Sequence, residues 1–252
     1  MTVLEALAVL AAGLAAGTIN TVVGSGTLVT FPVLLAVGYP PVTANVSNGI
    51  GLVPGSVSGA WGYRAELRGQ GRRAVRLGAM SVTGGVLGAV ALLTLPDDAF
   101  GAIVPVFIAI ALVAVVLQPR ISAAVAARRP ADRRDPDGGP AVRAGVLLGG
   151  VYGGYFGAAQ GILLLAVLGP ALPDDLQRVN ALKNVLAGLV NGVSGLIFCF
   201  AADVAWDAAL LIAMGSAAGG QLGARYGRRL SPGALRGLIV AVGVAAIAQL
   251  VL

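Results

Sequence analysis

The chain has 252 residues, of which 57% are hydrophobic and 11% charged, and it carries a formal net charge of +6. Its apolar residues gather in runs of roughly twenty, the length that crosses a bilayer core, which excludes a soluble domain and predicts an all-α polytopic membrane protein. With no histidine and the single Cys199 inside an apolar run, a disulfide framework, a cysteine cluster and a histidine centre are excluded, so neither cofactor nor metal is expected.

The first segment, 3 to 23, has the apolar body of a secretory signal but carries Glu5 in place of a positive flank, and it reads as a retained span. Further segments fall at 26 to 38, 42 to 62, 75 to 95, 99 to 118, 143 to 158, 160 to 170, 179 to 201, 205 to 224 and 233 to 252. Seven of the ten are long enough to span; 26 to 38 and 160 to 170 are short, and 143 to 158 is borderline. The short ones follow Gly24-Ser25-Gly26 and Ala159-Gln160-Gly161, breakers that permit a sharp reversal of the backbone, so each half is expected to open with a helical hairpin. The stretch ARRPADRRDPDGGP is a polar tether. It divides the chain into transmembrane units over 1–118 and 143–252 with a linker over 119–142. A nucleic-acid arm is the alternative reading of its arginines, but arginine patches between apolar runs are expected to orient the chain, so no nucleic-acid partner is expected.

The second half echoes the first. Gly26, Leu28 and Asn45 align with Gly161, Leu163 and Asn180 at a constant spacing of 135, and after one inserted residue Asn48 meets Asn184. Ser81 to Ala89 (SVTGGVLGA) matches Ser216 to Ala224 (SAAGGQLGA) at the same spacing, identical at six of nine positions. Chance likeness among glycine- and alanine-rich segments is the competing reading; a constant spacing across separate matches favours two halves built alike.

Arg64, Arg68, Arg72, Arg73 and Arg76, the linker arginines, and Arg225, Arg228, Arg229 and Arg236 mark cytoplasmic loops. Asp97, Asp98, Asp203 and Asp207 mark the opposite side. Equivalent loops therefore carry opposite charge, as five segments per half require when the second copy enters from the other face. The expectation is an inverted repeat, with both termini outside the cytoplasm of a cell whose inner membrane holds the protein. Such symmetry is typical of secondary transporters, whose site lies near the midplane at broken helices.

Polar residues inside apolar segments are costly unless they face a cavity or a partner. They cluster at Asn20, Thr21, Ser25 and Thr27 by the first break, at Asn45, Ser47 and Asn48 on the next helix, and at Gln160, Asn180, Lys183, Asn184 and Asn191 in the second half. With the break glycines Gly24, Gly26 and Gly161 they form the candidate substrate-binding set. Lys183 aligns with Ser47 and has no carboxylate at i ± 3 or i ± 4, so it is a candidate ligand for an anion; a lysine snorkelling to the interface is the alternative. Helix N-termini at the breaks and near Asn45 and Asn180 would add free N–H groups, and the asparagines serve equally well as caps there. The glycines of SxxGGxLGA and YGGYFGAAQG are read as helix packing contacts, and Trp61 and Trp206 as interface anchors. Acidic residues lie in loops, and no intramembrane carboxylate pair is present for acid–base chemistry, so no enzyme is expected.

Along GLAAGTINTVVGSGTLVTFPVLL, ANVSNGIGLVPGSVSGAWGYR, GVYGGYFGAAQGILLL, RVNALKNVLAGLVNGVSGLIF and GGQLGARYGRRL, the chain resembles the TauE/SafE family of sulfite and organosulfonate exporters. The resemblance implies an inner-membrane transporter of small sulfur-containing anions, with the two breaks and the Asn/Lys helix forming the pathway. On that reading a sulfite or short organosulfonate sits between the hairpins, held by backbone N–H groups, asparagine amides and Lys183, while the halves rock around it. An importer or channel for another small anion or polar metabolite would have the same architecture. A scaffold binding a partner through the arginine loops would leave the buried asparagines without a purpose.

Overall fold

Helix α1 (Val3–Val22) begins with a capping box: the Thr2 hydroxyl accepts from the Glu5 N–H, and the Glu5 carboxylate accepts from the Thr2 N–H at 2.7 Å. It stops where Gly24 adopts a left-handed conformation (φ 92°), and the short α2 (Thr27–Ala36) turns back. The computed structural model describes residues 1–127 and 138–227, with scattered positions between 233 and 244. Most of the expected linker arginines and most of the last expected segment, 233 to 252, lie outside the described residues.

Next come α3 (Pro41–Gly51), α4 (Val53–Gly62), α5 (Gly71–Thr94), α6 (Asp97–Ala127), α7 (Gly139–Tyr155), α8 (Gln160–Ala171), α9 (Leu176–Ala201) and α10 (Trp206–Tyr226). No strand occurs among the described residues. The fold is all-α, and α1, α5, α6 and α9 are long and apolar enough to cross a membrane. The segment expected as one span over 42 to 62 is two helices. Pro54 has no N–H to give the carbonyl four residues back, so the ladder lapses at Leu52 while the axis carries on through Leu52 N–H to Asn48 O at 2.9 Å. Helix α6 runs to Ala127, well past the expected start of the linker, with Pro105 and Pro119 inside it.

The bundle has two chemically distinct ends. At one, Asp174 takes the guanidinium groups of both Arg73 and Arg178, the latter at 2.8 Å. At the other, the Tyr39 hydroxyl donates to both carboxylate oxygens of Asp207, at 3.0 and 2.9 Å. Helix α9 has 26 residues, hence a length of about 39 Å, and it runs from the first end to the second. The α1–α2 hairpin returns to the Tyr39 end, whereas α7–α8 returns to the Asp174 end.

Helix α1 lies against α10, and α7 against α5. A Cβ at Gly84 would strike the backbone of Leu147, one at Gly219 that of Leu14, and one at Gly154 that of Gly85. These glycines of the SxxGGxLGA and YGGYFGAAQG stretches let helix axes approach without side chains between them, as expected. The outer surface is apolar, with Phe200 87%, Val75 74% and Leu210 61% exposed, as suits contact with lipid. Trp61 and Trp206 are also exposed, near opposite ends.

Candidate functional site

Helices α1 and α7 end in the same way. The N–H groups of Val23 and Gly24 converge on the Ile19 carbonyl oxygen at 2.7 and 3.0 Å, and those of Phe156 and Gly157 on that of Tyr152 at 2.9 and 3.1 Å. Gly24 and Gly157 (φ 78°) both sit in the left-handed region that lets a chain leave a helix. These positions are 133 apart, so across the breaks the register is two short of the expected 135, and Gly26 corresponds to Ala159 rather than to Gly161. The two residues are recovered in α8, which has 12 residues against 10 in α2. The breaks touch: the Gly161 N–H donates to the Gly24 carbonyl oxygen at 3.0 Å.

Helix α9 presents Asn180, Lys183 and Asn184 on one face, by their i, i+3, i+4 spacing, to the end of α1. Asn180 Nδ2 reaches the Thr21 carbonyl oxygen at 3.2 Å, Asn184 Nδ2 reaches it at 3.3 Å, and Lys183 Nζ at 3.4 Å. Lys183 Nζ also donates to the Asn20 carbonyl oxygen at 3.0 Å. Lys183, the sole lysine of the chain, is fully buried. It neither snorkels to an interface nor stands without partners, because the last turn of α1 offers unpaired carbonyls and the negative end of its dipole. Asn180, Asn184 and Asn45 likewise cap the C-termini of helices remote in sequence, not the starts of their own helices. Asn45 Nδ2 donates to the Tyr155 carbonyl oxygen at the end of α7, at 2.9 Å, as Asn180 does at the end of α1.

The remaining expected residues divide. Ser25 and Gln160 lie on the breaks themselves, buried, with Ser25 Oγ and Gln160 Nε2 lacking a hydrogen-bond partner, as does Asn180 Oδ1. Asn48 instead ties α3 to α2 through the Thr30 hydroxyl and through Thr27 Oγ1 at 3.3 Å. The Ser47 hydroxyl accepts the Ala205 N–H at 2.9 Å at the start of α10, and Asn191 Nδ2 meets Ser56 Oγ at 3.3 Å between α9 and α4. Ser47 and Asn191 thus bond between helices away from the breaks, whereas Asn48 reaches Thr27, the first residue of α2 after the break. Tyr155, absent from the expected set, has a buried hydroxyl without a partner and a ring packed on Phe100 and Phe107.

Clefts approach from both ends. One of about 400 Å³ runs between α4 and α9 past Trp61, Arg64 and Leu67, with Asn184 in its wall. Another of about 350 Å³ is bounded by Pro40, Thr43, Leu92 and Asp203. Contacts close the bundle near each mouth. Partial burial and then the Asp207 carboxylate it donates to push the Tyr39 hydroxyl up to about 12, with the charge of Glu5 adding a little. For Asp174 burial works the other way, yet Arg178 and Arg73 together hold its carboxyl below the usual range. Tyr39 and Asp174 are 135 apart, the spacing that relates the later matches of the two stretches, and their partners lie on α10 and α5.

Among the described residues no group of histidine, cysteine or acidic side chains could hold a metal ion. The arrangement can bind an electron-rich group. Three side chains rich in N–H compete for two backbone oxygens, so donors outnumber acceptors.

The pattern of the family described as Sulfite exporter TauE/SafE matches residues 9–250. A relative in Sinorhizobium sp, Probable membrane transporter protein ORF9, is 29% identical over 91% of this chain and 86% of its own length. Probable membrane transporter protein YfcA of Escherichia coli (strain K12) is 25% identical over 93% of this chain and 85% of its own. No solved structure matches the chain.

Proposed function

Since the chain belongs to the sulfite exporter TauE/SafE family of membrane transporters, we propose that it exports a small sulfur-containing oxyanion, sulfite or a short organosulfonate, by alternating access at the paired breaks. The observation that carries this reading is the surplus of donors where Asn180, Lys183 and Asn184 meet the end of α1. Carbonyl oxygens already held by an ammonium leave its remaining N–H groups, and those of two amides, in want of acceptors, which an oxyanion supplies.

The halves are threaded in opposite senses, a reading supported by hairpins that return to opposite ends and by caps that each half lends the other. The end carrying Arg64, Arg68, Arg73 and Arg178 faces the cytoplasm of the inner membrane by the positive-inside rule, which puts the N-terminus outside. The Tyr39–Asp207 and Asp174–Arg73 contacts then close opposite mouths, and the cleft beside Arg64 is the route from the cytoplasm. An inside-negative potential drives an anion outward, by about 2.3 kcal/mol per charge per 100 mV, without a coupling ion. The protein does no chemistry on its substrate.

The experiment is flux of sulfite and sulfonates in proteoliposomes. Lys183→Met should abolish anion-dependent transport; unchanged flux would remove Lys183 from the mechanism. Counterflow with a panel of anions distinguishes export of sulfur oxyanions from a channel for another anion.

A further inference from the structure

The Asn180 amide is half used. Its Nδ2 donates to the Thr21 carbonyl oxygen at 3.2 Å, and its Oδ1 is buried with no hydrogen-bond partner. The residue is 6% exposed. Turning the amide over would set Oδ1 against the Thr21 oxygen, two lone-pair bearers face to face, so the anchor fixes which end points away. That end is an acceptor only. A buried acceptor left without a donor costs about 1–3 kcal/mol. Lys183 and Asn184 on the same helix face already donate to carbonyl oxygens of α1, and Gln160 Nε2 and the Ser25 hydroxyl on the breaks are themselves buried without partners. A ligand that offered acceptors alone would leave Asn180 Oδ1 without a partner.

We propose that Asn180 Oδ1 selects substrates carrying a hydrogen-bond donor, so that the transported species is a monoanion that keeps one hydrogen on oxygen or nitrogen. Hydrogen sulfite and hydroxyalkyl sulfonates meet that requirement; a fully deprotonated oxyanion or a simple alkyl sulfonate does not. The inference rests on the transport reading above and deepens it. A substrate that brings its own proton also accounts for a pathway whose described acidic residues lie at helix ends or in loops, with none beside Lys183.

The test is titration calorimetry on the full chain in detergent with two monoanions of equal heavy-atom count, hydroxymethanesulfonate and ethanesulfonate. One has a hydroxyl where the other has a methyl. The wild-type protein should bind hydroxymethanesulfonate about tenfold more tightly or better, as expected of a site built to receive a donor, and Asn180→Leu should bring the ratio close to one. Should that variant fail to fold, methoxymethanesulfonate decides on wild type alone, since it keeps the oxygen without its hydrogen and must bind no better than ethanesulfonate. Equal affinities of the first pair for wild type, or a preference that survives in Asn180→Leu, overturns the assignment while leaving anion transport intact. If none of the sulfonates and no sulfite binds, the transport reading falls and this one with it.

Discussion

Gly24 and Gly161 are joined through their main chains, the N–H of the second donating to the carbonyl oxygen of the first at 3.0 Å. A Cβ on either would meet the other's Cα, and one on Gly161 would also press on the aliphatic part of Lys183. Gly24 has the further constraint of a positive φ, where an L side chain costs roughly 1–2 kcal/mol. Gly24→Ala should therefore lower the unfolding midpoint in detergent more than Gly161→Ala, and both should reduce transport.

Ala159 has the reverse problem. It starts α8 in the left-handed region with φ 59°, the sole non-glycine at positive φ among the described residues. Ala159→Gly relieves that strain and should stabilise the protein by about 1 kcal/mol, read as a higher thermal midpoint with the fold unchanged by circular dichroism.

The Asp174 cluster predicts a pH dependence. Its carboxyl ionises more readily in the folded protein than in the unfolded chain. The stabilisation is therefore fully present above the ordinary carboxylate range and is lost as pH falls through the lowered folded value. Arg73→Met should cost about 1 kcal/mol at neutral pH, and the gap between variant and wild type should narrow as Asp174 takes up its proton. Thermal unfolding from pH 7 downward, with both proteins in the same detergent, checks the sign.

At the other end, Tyr39→Phe removes the hydroxyl that bridges the α2–α3 turn to Asp207. The contact is exposed, so its loss should cost about 1 kcal/mol or less while loosening that mouth. Thiol labelling of Thr43→Cys, in the cleft beside it, should be faster in the Tyr39→Phe background than alone.

The sequence made the hairpin breaks readable because glycine marks a reversal whatever packs around it, and Gly24 lies where the first helix ends. The residues α9 brings to the end of α1 were also visible as a group, since Asn180, Lys183 and Asn184 share one helical face by spacing alone. Their partners were not. The oxygens that hold Lys183 belong to the backbone of Asn20 and Thr21, about 160 positions away, and a backbone carbonyl has no letter in a sequence. For the same reason the sequence did not show that Ser47, Asn48 and Asn191 bond to α10, α2 and α4. The break at Leu52 was within reach, since Pro54 announces it, but a long apolar run masked it. The shift of register from 135 to 133 was hidden because the two extra residues of α8 are as apolar as their neighbours.

The burial of Lys183 also bears on how the protein is made. Helix α9 emerges from the ribosome carrying an ammonium that lipid will not solvate cheaply, and the oxygens that receive it lie on α1, made earlier in the chain. Helix α9 thus settles in the bilayer only by docking its lysine on the end of α1, so its insertion and the closing of the bundle are bound together by one side chain.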